Sequence, residues 1–250
     1  MTAATAGRSR IDVLGCGVDP VDMDDAVARI ESFVSDGRAA QVVTFGAEMA
    51  VRATHDPSYQ AAVNNAELVV ADTVGVVWAM RRAGSTLRDR VAGIELVERL
   101  CDAVRVPVFF LGGAEGVATE AAAALKQRHP SLIVAGVHHG YFADSASSSV
   151  AEQVRGAGAR LVLVALGVPR QEFWIRDNLR GVGPATCIGV GGAFDVWSGR
   201  SPRAPESWRR AHLEWLYRLV REPSRLGRQL ALPEFAIRVL TKNARVAQKP

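Results

Sequence analysis

Short β-branched apolar runs alternate with stretches of helical periodicity along most of the chain, and this alternation restricts the fold more than any other feature. The candidate strands are Ile11–Leu14, Gln41–Phe45, Leu68–Val70, Val108–Leu111, Leu132–Val137, Arg160–Leu166 and Ala185–Val190. Helical patterns lie between them. Asp22–Ser35 sets Met23, Ala26, Val27, Ile30 and Val34 on one face, and Ile94–Val104, Ala114–Arg128 and the shorter Glu172–Leu179 are similar. Strand and helix in alternation predict an α/β, Rossmann-like fold with a mainly parallel sheet between helices. The strands show no polar alternation, which fits burial on both faces. Ligands of such sheets sit beyond the carboxyl ends of the strands. Those ends are rich in glycine and polar residues: Gly15-Cys16-Gly17, Thr44-Phe45-Gly46, Ala71-Asp72-Thr73, Gly112-Gly113, Gly167-Val168-Pro169 and Gly191-Gly192.

Strand signals stop after Gly199, where Pro202, Pro205, Pro223 and Pro233 punctuate helical pieces rich in Trp, Leu and Arg. The expected division is a catalytic body over residues 1–199 and a basic helical appendage over 200–250. Charge supports the division. Residues 200–250 hold 12 of the 30 Lys and Arg but four of the 26 acids, a net +8 that leaves −4 for the rest. A basic tail on an acidic body suggests an anionic surface as partner. No apolar run approaches the roughly 18 residues that span a bilayer. The small, polar N-terminus lacks the apolar stretch of a signal peptide, so the expected location is the cytoplasm. Cys16, Cys101 and Cys187 are odd in number and far apart, and read as buried core residues rather than a disulfide or metal framework.

Phe109-Phe110-Leu111-Gly112-Gly113-Ala114-Glu115-Gly116 reads as strand, tight turn and helix start. Its glycines would let backbone amides approach a diphosphate, although Gly-rich βα turns without a ligand are common. A dinucleotide site needs an acid at the end of the next strand to hold the ribose. That strand runs into His138 with no acid before Asp144, and Pro20 stands where a third glycine belongs after Gly15 and Gly17, so NAD binding is disfavoured. Phosphate-loop, HExxH and GxSxG signatures are absent. Asp22-Met23-Asp24-Asp25 offers acids for a metal but opens a helix after Pro20, which favours capping. His138-His139 has no partner at ligand spacing and reads as a loop pair. Asp72 follows an apolar strand and precedes a helix, so it is either a cleft-facing general base or a helix cap.

Together these pieces resemble the WecG/TagA/CpsF glycosyltransferase family, glycosyltransferase family 26, over roughly residues 10–230. The resemblance rests on ordered motifs: Thr44-Phe45-Gly46-Ala47-Glu48, Ala71-Asp72-Thr73-Val74-Gly75, Arg90-Val91-Ala92-Gly93-Ile94-Glu95-Leu96 and Gly167-Val168-Pro169-Arg170-Gln171-Glu172. Gly191-Gly192-Ala193-Phe194-Asp195 follows, then Arg203-Ala204-Pro205 with Leu213–Leu219 and Glu222-Pro223. The resemblance implies an inverting transferase that moves N-acetylmannosamine or a related hexose from a UDP-sugar donor to a polyprenyl-diphosphate-linked acceptor in cell-surface polysaccharide or teichoic acid synthesis. It also implies roles. Asp72 would be the base, Thr44 a neighbouring pocket residue, Arg90 the diphosphate's counter-charge and Gln171 a polar group by the reacting atoms. Tyr141 and Asp195 would line the UDP pocket, and Gly46, Gly112, Gly113, Gly191 and Gly192 are expected as further substrate-binding positions. Three positions depart from the usual pattern: Gly46 replaces an asparagine, Thr73 a glycine and Glu95 an aspartate. The lost amide puts the sugar or the acceptor in question.

No cofactor and no obligatory metal are expected, because preorganised donors can stabilise the leaving group. Arg218, Arg221, Arg225 and Arg228 are spaced to share a helical face, with Pro223 interrupting, and Trp208, Trp215, Leu216 and Leu219 lie beside them. That composition suits docking on an anionic membrane surface, with nucleic acid not expected as a partner and a homo-oligomer left open. Two other classes remain compatible with the residues alone: an oxidoreductase-like nucleotide enzyme, and a non-catalytic adaptor using the basic tail.

Overall fold

The computed structural model describes residues 10–210, 217 and 231–246. Its centre is a six-stranded, wholly parallel sheet in the order β4-β3-β8-β7-β5-β6. The strands are β3 (Ala40–Phe45), β4 (Leu68–Ala71), β5 (Pro107–Gly112), β6 (Ile133–His138), β7 (Leu161–Ala165) and β8 (Thr186–Gly189). Helices cover both faces, so the arrangement is Rossmann-like α/β. Successive side chains explain the two faces. Val42, Val70, Phe110, Leu163 and Ile188 point one way, into a core with α1 (Met23–Ser35), α5 (Gly93–Ala103), α6 (Val117–Arg128) and α9 (Ala193–Trp197). Val43, Phe45, Val69 and Ala71 point the other way, toward α2 (Ala47–His55), α3 (Pro57–Asn64) and α4 (Val74–Arg82). Farther along that face, Phe109, Leu111, Val162 and Val164 pack against α7 (Ser147–Gly156) and α8 (Arg170–Asn178).

Helix starts follow local chemistry. Asp22 caps α1 by accepting from the Asp25 amide at 2.9 Å, so the acid cluster there is a cap. Asp56 caps α3 by accepting from the Tyr59 amide, and Pro57 occupies the first turn where its missing N–H costs nothing. The three cysteines are buried and free, and burial pushes each thiol up to about 12.

Two expectations need correction. Ile11–Leu14 does not enter the main sheet. β1 (Ile11–Val13) pairs antiparallel with β2 (Cys16–Val18) across a turn with positive φ at Leu14 (53°) and Gly15 (93°). Gly15 is therefore in a hairpin turn and Cys16-Gly17 opens its second strand, so the trio is not a strand end facing a cleft. β6 is also not buried on both faces. It is the outer strand, and Ile133, Val134 and Val137 are 46%, 38% and 39% exposed.

Beyond Gly199 the described elements include α10 (Glu206–Arg210) and α11 (Ala231–Val246). Phe235 and Val239 of α11 are buried against α2 and α4, so this stretch packs onto the body. Arg218, Arg221, Arg225 and Arg228 lie outside the described residues. Among the described residues no helix is long and apolar enough to cross a membrane.

Candidate active site

Because every strand of the sheet runs parallel, their carboxyl ends form one rim, and the motif residues are distributed along it. From β3 the chain turns outward through α2 and α3 to β4, while all later strands add on the other side, so the order reverses at the β3–β8 pair. A crevice opens at such a reversal. Thr44 spans it, donating from Oγ1 to the Gly189 carbonyl at 2.8 Å.

Asp72 stands at the end of β4, next to this point. Its amide donates to the Phe45 carbonyl at 3.0 Å, which extends the sheet by one rung. Its Oδ1 accepts from the Gly93 amide at 2.7 Å, at the first turn of α5. The carboxylate thus caps a helix, though not the one that follows it: Thr73 stands at the N-cap of α4, and its side chain makes no capping bond. The positive end of the α5 dipole lies beside this side chain. Arg90 is drawn to the same spot, for the Val91 amide bonds the Ala71 carbonyl at 2.8 Å and Arg90 Nη1 donates to the Asp72 carbonyl at 3.3 Å. Base candidate and counter-charge candidate are therefore adjacent.

Gly46 and Thr73, two of the departures from the usual motif, meet across β3 and β4. A Cβ on Gly46 would lie 3.4 Å from Thr73 Cγ2, and the extended backbone at Gly46 (φ −110°, ψ 168°) suits any residue. The glycine is thus not required by the backbone, and the threonine bounds the space a side chain there would take. Thr73 Oγ1 is buried with no hydrogen-bond partner.

Gln171 and Glu172, in the first turn of α8, lie beneath the rim, 2% and 1% exposed. Gln171 Nε2 donates to Glu172 Oε1 at 2.7 Å, and its Oε1 accepts from the Gly191 amide at 3.0 Å. Both ends of the amide are engaged inside the protein, so in this arrangement Gln171 supports the Gly191-Gly192 turn instead of presenting a group to the crevice.

In the Gly112-Gly113 turn, whose amides are expected to approach a diphosphate, one amide is engaged within the protein. The Gly113 amide donates to the Ala165 carbonyl at 3.0 Å, so it is used within the sheet. Gly140 packs against the backbone of Gly112 and Gly113, and its amide bonds the Gly113 carbonyl at 2.7 Å. These glycines permit close approach of backbone to backbone. Tyr141 follows on the loop after β6 and is 79% exposed. Its strand is five places from that of Asp72, roughly 24 Å at about 4.8 Å per step. Arg170 folds this loop inward: its guanidinium donates to the Gly140 and Phe142 carbonyls and stacks on the Phe142 ring at 4.6 Å. Asp195 lies in the first turn of α9, beyond Gly191-Gly192, with its carbonyl bonded by the Ser201 amide at 2.8 Å.

A family model for the glycosyl transferase WecG/TagA/CpsF family matches residues 11–249. The chain belongs to the WecG/TagA/CpsF family. It is 34% identical over 233 residues to an N-acetylglucosaminyldiphosphoundecaprenol N-acetyl-beta-D-mannosaminyltransferase of Bacillus spizizenii, covering 92% of this chain and 90% of the relative. It is 31% identical over 239 residues to a Staphylococcus aureus protein of the same name, covering 94% and 93%. The chain is a glycosyltransferase.

In this WecG/TagA/CpsF chain, one cavity is instructive by its place. It measures about 620 Å³ and lies along α1 and α5, bounded by Asp24, Asp89, Arg90, Glu95, Glu98 and Arg99. Arg90 alone joins it to the rim residues described above. Its acids are largely matched: Asp24 pairs with Arg99, Glu95 with Arg203 at 2.9 Å, and Glu98 with Arg128 at 2.8 Å. No group of three or more His, Cys, Asp or Glu suited to a metal ion occurs among the described residues.

Motif reading overlooked Gly93, Arg170 and Glu172 as individuals, although all three stand inside quoted motifs. Glu172 has a measurable consequence. Burial raises its carboxyl to about 7 from 4.5, against the hydrogen bond from Gln171 that lowers it. The native chain therefore keeps a proton that the unfolded chain releases, and this group's contribution to stability falls as pH rises through that window. A shift of this size amounts to about 3 kcal/mol. Glu172→Gln cannot ionise, so its stability relative to wild type should rise by up to about 3 kcal/mol between pH 5 and pH 8 in urea titrations. A difference that stays constant over that range would contradict the assignment.

Proposed function

We propose that this glycosyltransferase moves an N-acetylmannosamine unit from UDP-N-acetylmannosamine to a polyprenyl-diphosphate-linked N-acetylglucosamine, with inversion. The observation that carries the reading is the Asp72 site: a carboxylate at a strand end, held by the α5 amide, with Arg90 on its own carbonyl. The mannosaminyltransferase name borne by relatives along nine-tenths of the chain supplies donor sugar and acceptor. The acceptor hydroxyl gives its proton to Asp72, and its oxygen forms a bond to the anomeric carbon on the face opposite UDP. The bond from that carbon to the diphosphate oxygen breaks, and UDP leaves with the electron pair. Arg90 offsets the charge that develops on the leaving diphosphate without an obligatory metal. Thr44, joined to Gly189, keeps the two halves of the crevice together. The Gly191-Gly192 turn, Asp195 and Tyr141 form the donor side.

UDP release measured with a panel of UDP-sugars and a lipid-linked N-acetylglucosamine acceptor tests the reading. UDP-N-acetylmannosamine should be the best donor, and the product's anomeric configuration should be opposite to the donor's. Release with a different sugar alone would reassign the donor. No release with any of them, together with no UDP binding, would remove the reading altogether.

The acceptor's lipid stays in the membrane, so we place the working enzyme peripherally on its inner face, held by Arg218, Arg221, Arg225 and Arg228. Co-sedimentation with anionic vesicles but not neutral ones is expected, lost in high salt as charge screening predicts. The fourfold Arg→Glu variant should fail to sediment yet still bind UDP. Equal sedimentation of variant and wild type would sink this docking role.

A further inference from the structure

Glu172 is the most deeply buried acid among the described residues, and apolar packing does not call for a carboxyl there. Burying one is costly unless its oxygens are used. One is: Oε1 takes the hydrogen bond from Gln171 Nε2 at 2.7 Å. The other, Oε2, is buried without a hydrogen-bond partner, as is the hydroxyl of Tyr59, whose ring meets Phe173 edge-on at 5.9 Å. The backbone carbonyl of Glu172 accepts from Gln41 Nε2 of β3 at 3.2 Å, which ties the turn to the strand below.

This carboxyl decides which way the Gln171 amide faces. With an acceptor at one end and the Gly191 N–H at the other, a flipped amide would set oxygen against oxygen and N–H against N–H. Nearby residues are shaped to the same arrangement. A Cβ on Gly189 would lie 2.7 Å from Gln171 Nε2, so a side chain there would push the amide out of place. Gly191 itself takes φ 51°, and the Gly189 carbonyl is held from the opposite side by Thr44. The turn after β8 is thus gripped at both ends, by β3 and by α8.

We propose that Glu172 is a positioning residue which, by orienting Gln171, fixes the Gly191-Gly192 turn in the shape that receives the nucleotide donor. The inference rests on the functional reading above, in which the donor sits against this turn.

The test compares Glu172→Leu, Glu172→Gln and wild type for UDP affinity by calorimetry, donor KM, kcat and urea stability at pH 8. In Glu172→Leu, UDP Kd and donor KM should rise tenfold or more, kcat should stay within about threefold, and the urea midpoint should equal or exceed that of wild type. Glu172→Gln keeps an acceptor oxygen for the Gln171 N–H and should bring Kd and KM back to within about threefold. Wild-type affinity in a folded Glu172→Leu variant would overturn the proposal. So would a joint loss of stability and affinity that Glu172→Gln does not rescue. Should Glu172→Leu not fold, Gln171→Leu cuts the same link with Glu172 in place and should show the same rise; unchanged Kd and KM there would equally overturn it. Wild type that binds no UDP defeats the donor reading itself, and the inference with it.

Discussion

Asp72→Asn is expected to bind UDP and its sugar within a few-fold of wild type while turnover falls about 10²–10⁴-fold, the usual loss when a general base is removed. The substitution separates two roles. Asparagine keeps an oxygen where Oδ1 stands, so the bond from the Gly93 amide at 2.7 Å survives and α5 stays capped. Lost is the capacity to accept a proton, along with a charge at the helix N-terminus that is worth about 0.3–1 kcal/mol at exposed sites. Asp72→Ala removes the cap as well and should cost about 1 kcal/mol of stability beyond the kinetic loss. Single-turnover rates, UDP affinity and urea midpoints for both variants distinguish these contributions. Near-normal turnover in Asp72→Asn would end the assignment of this carboxylate as the base and leave it only its capping function.

The Gly112→Ala variant should be destabilised by about 3–5 kcal/mol, from strain at positive φ together with steric overlap. Gly112 has φ 136°, and a Cβ there would lie 2.3 Å from the Ala165 carbonyl oxygen and 2.5 Å from its carbon. Those atoms belong to the backbone of the neighbouring strand, so they cannot swing aside as the end of a side chain would. Gly167 supplies the control. It also has positive φ, 77°, but nothing stands within 4 Å of its would-be Cβ. Gly167→Ala should therefore cost only the conformational term, about 1–2 kcal/mol. Equal losses at the two positions in urea titrations would show that close approach is not what Gly112 serves.

The same contrast between local and distant causes separates what sequence could and could not reveal. The six strands of the sheet were legible because their runs are short, apolar and rich in β-branched residues, as Leu68-Val69-Val70 and Leu161–Ala165 are. The cap of α1 was legible because donor and acceptor lie three residues apart. Ile11–Val13 misled, since a short apolar run looks alike in a parallel sheet and in a hairpin. What marks the hairpin is distant: Asn64 accepts from the Gly17 amide and donates to the Gly15 carbonyl. Asp72 was recognised as either base or cap, but the amide it caps lies 21 residues on, beyond any local pattern. Gln171 carries no sign in its type that both ends of its amide would be used internally. Tertiary packing alone settles that.

The two borders of the sheet differ in a way that bears on self-association. Along β4 the border is closed: Asp19 exchanges backbone and side-chain hydrogen bonds with Val69 at 2.9 Å, and Arg10 and Arg29 neutralise its buried carboxylate. Along β6 no further strand pairs among the described residues, and Ile133, Val134 and Val137 are exposed with no lysine or proline among Ile133–His138 to discourage another strand. The sealed border is the one beside Asp72, and the β6 border is the far one. Molecules that join through β6 would therefore lengthen the sheet outward and leave each copy's Asp72 at its own opposite end, with the Tyr141 loop beside the junction.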